Sequence, residues 1–176
     1  GVTAAESPIV LVDEVASSQN EDFEEIDIVY GLENGNKVEL ESADKNVFVK
    51  DSGKRIEQGD IFQYSTDAKG AVDAITVLFD SDARDTEFSR DVSKDLTVVY
   101  GRVTKKFGDS INLSVNGEVK NYSTADTVVY EYNSQRNNNN VSVVTAGDIE
   151  IFEEGNEVRL FVKIYDDKVQ EFVIIR

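Results

Sequence analysis

The sequence predicts an all-β chain: two tandem small antiparallel domains, barrel-like or sandwich-like, related by a diverged internal repeat. Three observations lead there. Short runs rich in Val, Ile, Tyr and Phe recur at hairpin spacing, punctuated by Gly, Asn and Asp. Long apolar stripes with a helical period are hard to find. The stretch "TVVYGRVTKKFGDSINL" from Thr97 echoes "DIVYGLENGNKVEL" from Asp27, each ending an apolar run in Val-Tyr-Gly before a polar turn.

Residues 1–7 read as a frayed lead-in. "PIVLVDEV" (Pro8 to Val15) has the β-branched character of a strand, with Pro8 tolerated at its start. "ASSQNEDFEE" reads as an acidic loop. "IDIVYGL" (Ile26 to Leu32) and "KVEL" flank Asn34-Gly35, the pair that suits a type I′ hairpin turn because both central residues need positive φ. "NVFVKDSGKRI" reads as a further run broken at Ser52-Gly53. Gly59-Asp60 opens a strand through Tyr64, Asp67 to Gly70 turns it, and Val72 to Phe79 returns as a partly central strand. These elements delimit a first domain over 8–80. The polar interval Asp80 to Asp95 has only weak helical potential, and its residues 81–95 are expected to be the linker.

The second domain, 96–176, begins with "LTVVYGRVTKKF". Gly108-Asp109 leads into "SINLSV", Asn116-Gly117 into "EVKNY", and "TVVYEY" (Thr127 to Tyr132) follows. "NSQRNNNN" (Asn133 to Asn140) is a solvated tip. "VSVVTAGDIEIF" precedes a last pair within "NEVRLFVKIYDDKVQEFVII", joined at a tight tip over Asp166-Asp167-Lys168. Placing Gly31 over Gly101 also brings Gly59 over Gly155. Those landmarks lie 28 residues apart in the first copy and 54 in the second, so an insertion of about 26 residues is expected near "EYNSQRNNNNVSVVTAGDI". Gly31 and Gly101, inside β runs, are expected at a bulge or sharp bend; Gly59 and Gly155 are expected at turns with positive φ.

Composition narrows the chemistry. At 176 residues, 40% hydrophobic and 30% charged, the chain can bury a core. Its 35 acidic and 18 basic residues give a net charge of -17. Such a field repels phosphate backbones and anionic head groups, so neither nucleic acid nor a membrane surface is expected as a partner. No segment reaches the roughly 18 apolar residues of a membrane-spanning helix. Cys, His, Met and Trp are absent. That leaves no thiol nucleophile, no imidazole base and no Cys/His zinc site. Gly1 in place of Met is expected to be a scar of processing or cloning, and the chain a fragment of a longer precursor.

No catalytic, cofactor-binding or metal-binding residue is assigned. Asp80-Ser81-Asp82-Ala83-Arg84-Asp85 comes nearest to a calcium loop, but lacks the glycine at the sixth position and the glutamate at the twelfth. Tyr30, Tyr64, Tyr100, Tyr122, Tyr130, Tyr132 and Tyr165 are expected as half-buried core or edge residues rather than a sugar platform. Lys105-Lys106 reads as a solvated turn. Lys37, Lys50, Lys120 and Lys163, in or beside predicted strands, read as charges that discourage edge-to-edge aggregation.

The order "YSTADTVVYEY", "VSVVTAGDIEIF", "NEVRLFVKIYDDKVQEFVII" resembles the β-rich modules that follow S-layer homology domains in surface proteins of clostridia and related Gram-positive bacteria. The likeness covers most of 96–176 and extends into "QGDIFQYSTDAKGAVDAITVL". It implies a secreted or cell-surface, wall-associated and non-enzymatic role without a cofactor. The implied function is a structural or spacer module beside neighbouring surface-protein domains. The alternative is a binding module for a cell-wall polymer such as glycan, or for a protein partner.

Overall fold

Five strands build the first unit, Ser7–Ala83: β1 (Val10–Gln19), β2 (Glu25–Glu33), β3 (Asn36–Glu41), β4 (Ile61–Thr66) and β5 (Val72–Phe79). The computed structural model describes residues 7–176, so the lead-in read over residues 1–7 lies, apart from Ser7, outside the described residues. The strand order is β3-β2-β1-β4-β5, antiparallel throughout. Asn34 and Gly35 take φ of 50° and 78°, the left-handed pair that a tight hairpin between β2 and β3 requires. A single parallel bridge, Ser42 to Val72, ties the end of β3 to the start of β5. The sheet therefore curls toward itself without closing, which corrects the barrel-like expectation.

Several local expectations change for one reason, that long-range pairing overrides local polarity. Strand β1 continues through Ala16–Gln19, read as loop, because Ser17, Ser18 and Gln19 pair with Asp27, Ile26 and Glu25. Val72–Phe79 lies at the sheet edge rather than partly central; the buried pair Leu78 and Phe79 marks only its far end. "NVFVKDSGKRI" forms no strand beyond the bridge Val49–Arg55. It is an irregular plug that drives Phe48 and Ile56 into a core with Val10, Val12, Val29 and Phe62. The Phe48 and Phe62 rings meet with centroids 5.8 Å apart.

The second unit includes Arg84–Arg176. Its strands are β6 (Phe88–Asp91), β7 (Leu96–Lys106), β8 (Ser110–Val115), β9 (Glu118–Ser123), β10 (Val128–Tyr132), β11 (Val141–Val144), β12 (Arg159–Tyr165) and β13 (Lys168–Ile175). They form one sheet in the order β11-β10-β13-β12-β7-β8-β9, with β6 also on β7. The interval read as a linker, 81–95, contains a 3-10 turn at Ser81–Ala83 and the strand β6. The sheet is not purely antiparallel: β10 runs parallel to β13, with Val128 opposite Glu171 and Tyr132 opposite Ile175. "VSVVTAGDIEIF" keeps only four residues of strand before a 3-10 turn at Ala146–Asp148.

Strand β7 changes neighbours along its length, with β6 pairing residues 97–100. Residues 96–101 pair with β12 and residues 102–106 with β8, and Gly101 sits at the handover. A Cβ there would strike the Ser114 carbonyl oxygen, as one at Gly31 would strike that of Leu11. These glycines are required by close backbone approach. The core gathers Val99, Leu113, Leu160, Val162, Phe172 and Ile174. Lys163 is not an edge charge: it is buried in β12, 3.2 Å from the Glu171 carboxylate and donating to Gln170 at 2.7 Å. A bulge brings Gln170 and Glu171 to the same ammonium, since Lys163 pairs with Glu171 and Ile164 with Val169. Lys37 and Lys120 do lie on edge strands, β3 and β9.

Candidate functional site

The tightest gathering of ionisable groups surrounds Lys50 in the first unit. Lys50 begins a turn in the long β3–β4 connection: its N–H donates to the Lys54 carbonyl at 2.7 Å and its own carbonyl accepts from Gly53 N–H at 2.9 Å. This turn aims the side chain inward, where it is 2% exposed. Its Nζ lies 2.8 Å from Glu57, 3.1 Å from Asp60, 2.7 Å from Asp80 and 3.3 Å from Asp82. Lys54 Nζ joins from the rim, 3.1 Å from Glu57 and 2.8 Å from Asp82.

Two chain segments supply these carboxylates. Glu57 and Asp60 precede β4, whereas Asp80 and Asp82 follow β5. Asp60, wholly buried, accepts from the backbone N–H groups of Glu57 and Ser81, each at 2.8 Å. Asp80 accepts the N–H of Asp82 at 2.9 Å, so the exit from β5 curls back over the ammonium.

Protonation follows from these contacts. Burial alone would depress the Lys50 ammonium, but hydrogen bonds to Asp80, Glu57 and Asp60 outweigh it and hold the group above its ordinary value. An amine in that state has no lone pair at neutral pH and cannot act as a nucleophile. Lys54, then Glu57, holds Asp82 down at about 2, so it stays ionised. Burial raises Asp60, against the opposing backbone donors of Ser81 and Glu57. Glu57, Asp80 and Asp82 offer oxygens within 4.8 Å of one another, close enough to hold a cation. Lys50 and Lys54 already place ammonium groups among them.

Asp80 and Asp82, from the nearest approach to a calcium loop, thus meet at this cluster, while Asp85 is an exposed partner of Arg159 at 3.2 Å in the second unit. In sequence Lys50 reads only as a charge that discourages aggregation, and nothing local marks the cluster. Asp60 and Asp80 stand ten and thirty residues away, and only the fold joins them.

A second feature of the first unit is an open concavity of about 770 Å³ between the β1–β2 turn, the end of β3 and the β4–β5 turn. Asp22, Glu24, Glu39, Glu41, Asp44 and Asp67 line it. Between Asp22 and Glu24, Phe23 stands 82% exposed at a φ of 62°. The tyrosines do not assemble beside it: Tyr100 and Tyr130 are buried, and only Tyr30 reaches the exposed class. Lys105 and Lys106 are exposed at the end of β7. Among the described residues no helix is long and apolar enough to cross a membrane. No family model, curated protein or solved structure matches the chain.

Proposed function

We propose that this chain is a non-enzymatic structural or spacer module of an extracellular, cell-wall-associated bacterial surface protein. The observation that carries this reading is the Lys50 cluster. Where carboxylates converge most tightly in the first unit, they converge on an internal ammonium and on backbone N–H groups that fix the fold. Groups held that way act as cross-braces between chain segments. The resemblance of 96–176 to modules that follow S-layer homology domains supports the same role and the cell-surface location.

The two units are read as diverged copies of one β module. Gly31 and Gly101 both occupy strands where backbone approaches too closely for a side chain. Gly59 and Gly155 both take positive φ, 90° and 84°, ahead of the closing hairpins β4–β5 and β12–β13. Strands β10 and β11 fall around the stretch expected to hold the insertion.

A second reading, a binding module for cell-wall glycan or a protein partner, is favoured by the acidic concavity and by the exposed Phe23 between two of its lining residues, Asp22 and Glu24. One experiment separates the two: pull-down of the chain with purified cell-wall fractions, beside a calcium titration of its melting temperature. The spacer reading expects no retention and no rise in melting temperature at millimolar calcium. Retention abolished by Phe23→Ser would replace it with the binding reading, and a calcium-dependent rise would show the acidic groups acting as metal ligands.

A further inference from the structure

In the first unit the chain enters through β1 and leaves through β5. Both strands pair antiparallel with β4, one on each side, so they run parallel to each other. Tension along the chain therefore pulls β1 from its first residue, Val10, and β5 from its last, Phe79, in opposite directions along the strands. Ladder hydrogen bonds stand perpendicular to the strands. Force along the strands loads a whole ladder at once, whereas force that opens a hairpin end breaks its pairs one at a time. Strand β1 is held by the ladder from Leu11–Leu32 to Gln19–Glu25, and β5 by the ladder from Phe79–Ile61 to Val72–Thr66.

The exit from β5 is also tied back to β1 through the Lys50 cluster. Asp80 and Asp82 grip Lys50 Nζ, and Ser81 N–H donates to the Asp60 carboxylate. Asp60 in turn grips Lys50, and its carbonyl accepts from Val12 N–H at 3.0 Å. Gly59 N–H returns a bond to the Val12 carbonyl at 3.0 Å. Force arriving at Ala83 meets this chain of contacts before it reaches the β5 ladder, and the contacts lead to the strand pulled the other way.

We propose that the first unit is a tension clamp, in which end-to-end force shears β1 and β5 while the Lys50–Asp60–Asp80–Asp82 cluster locks the exiting segment to the entering strand. This deepens the spacer reading and rests on it for its biological purpose. The wall-fraction experiment tests that reading and force tests the clamp, so either can fail alone.

The test is single-molecule stretching of the full chain between marker domains. It has no native cysteine, so added terminal cysteines give unique attachment. Under end loading, unfolding of the first unit is recognised by a released length on the order of 260 Å; between residues 25 and 41 it is on the order of 55 Å. A second geometry attaches the same chain at Glu25→Cys and Glu41→Cys, near the open end of the β2–β3 hairpin. End loading is expected to need clearly the higher force. Lys50→Met is expected to speed unfolding under end loading by at least about tenfold, with the hairpin geometry changed far less. Should Lys50→Met not fold, Asp80→Asn, on a partly exposed side chain, carries the same expectation. Equal forces in the two geometries, or a folded variant whose end-loaded unfolding is unchanged, would overturn the clamp.

Discussion

Replacing Lys50 by Met removes one ammonium and leaves Glu57, Asp60, Asp80 and Asp82 facing one another around an uncharged side chain. Breaking a buried ionic arrangement by deleting one partner costs about 3–5 kcal/mol, and a drop of that order is expected in denaturant titration. Glu57, Asp80 and Asp82, whose oxygens lie within 4.8 Å of one another, then resemble an oxygen-rich calcium site. Millimolar calcium should raise the melting temperature of Lys50→Met and leave the parent unmoved; a parent that responds equally would show that Lys50 does not occupy the cation position. Acid probes the rim. Asp82 is depressed in the fold, so its contribution is complete above its unfolded value and is lost as the pH falls through about 2. Asp60 is raised, so ionising it costs stability as the pH rises through its folded value, the opposite slope. Asp82→Asn should therefore flatten the loss of stability below about pH 4, measured by chemical denaturation across that range, and an unchanged slope would contradict the ion pair with Lys54.

Glycine and aspartate chemistry decides the behaviour of individual strands. Strand β7 changes neighbours at Gly101, and an added Cβ meets the Ser114 backbone, which cannot swing aside as a side-chain tip could. Gly101→Ala is expected to destabilise by about 1–3 kcal/mol, with hydrogen exchange accelerated first in the β7–β8 ladder. Ordinary protection there would mean that the two strands separate at little cost. The β12–β13 turn offers the reverse case. Asp166 and Asp167 hold φ of 50° and 60° without a glycine. Asp167→Gly should relieve that strain and stabilise the chain by about 1 kcal/mol, read as a higher denaturant midpoint. The position of this turn was legible in the sequence, because positive φ restricts the residue types. The pairing of β10 with β13 was not, since parallel neighbours separated by two intervening strands leave no local signature.

Across the whole molecule, a net charge of -17 sets long-range repulsion against local ion pairs. Raising the ionic strength from about 0.01 M to 0.15 M shortens the screening length from about 30 Å to 8 Å. That weakens repulsion among dispersed carboxylates more than it weakens contacts of about 3 Å around a buried ammonium. Melting temperature should therefore rise with sodium chloride over this range, and a fall would mean that exposed ion pairs dominate the balance.

The sequence by itself determined the all-β class and the hairpin turns at Asn34-Gly35, Asn116-Gly117 and Asp166-Asp167. Each is written in local residue chemistry: side-chain period or positive φ. The close backbone approach that forbids a Cβ at Gly31 and Gly101 is set by the distant strands of Leu11 and Ser114. Only the tertiary structure decided that the sheets stay open, that 43–60 forms a plug carrying Phe48 inward, and that β10 joins the sheet in parallel. It alone brought Lys50 to Asp60, Asp80 and Asp82. Strand partners and ionic partners are chosen by which distant segments become neighbours when apolar faces are buried, and a charged side chain looks the same in sequence whether it ends in solvent or inside a ring of carboxylates.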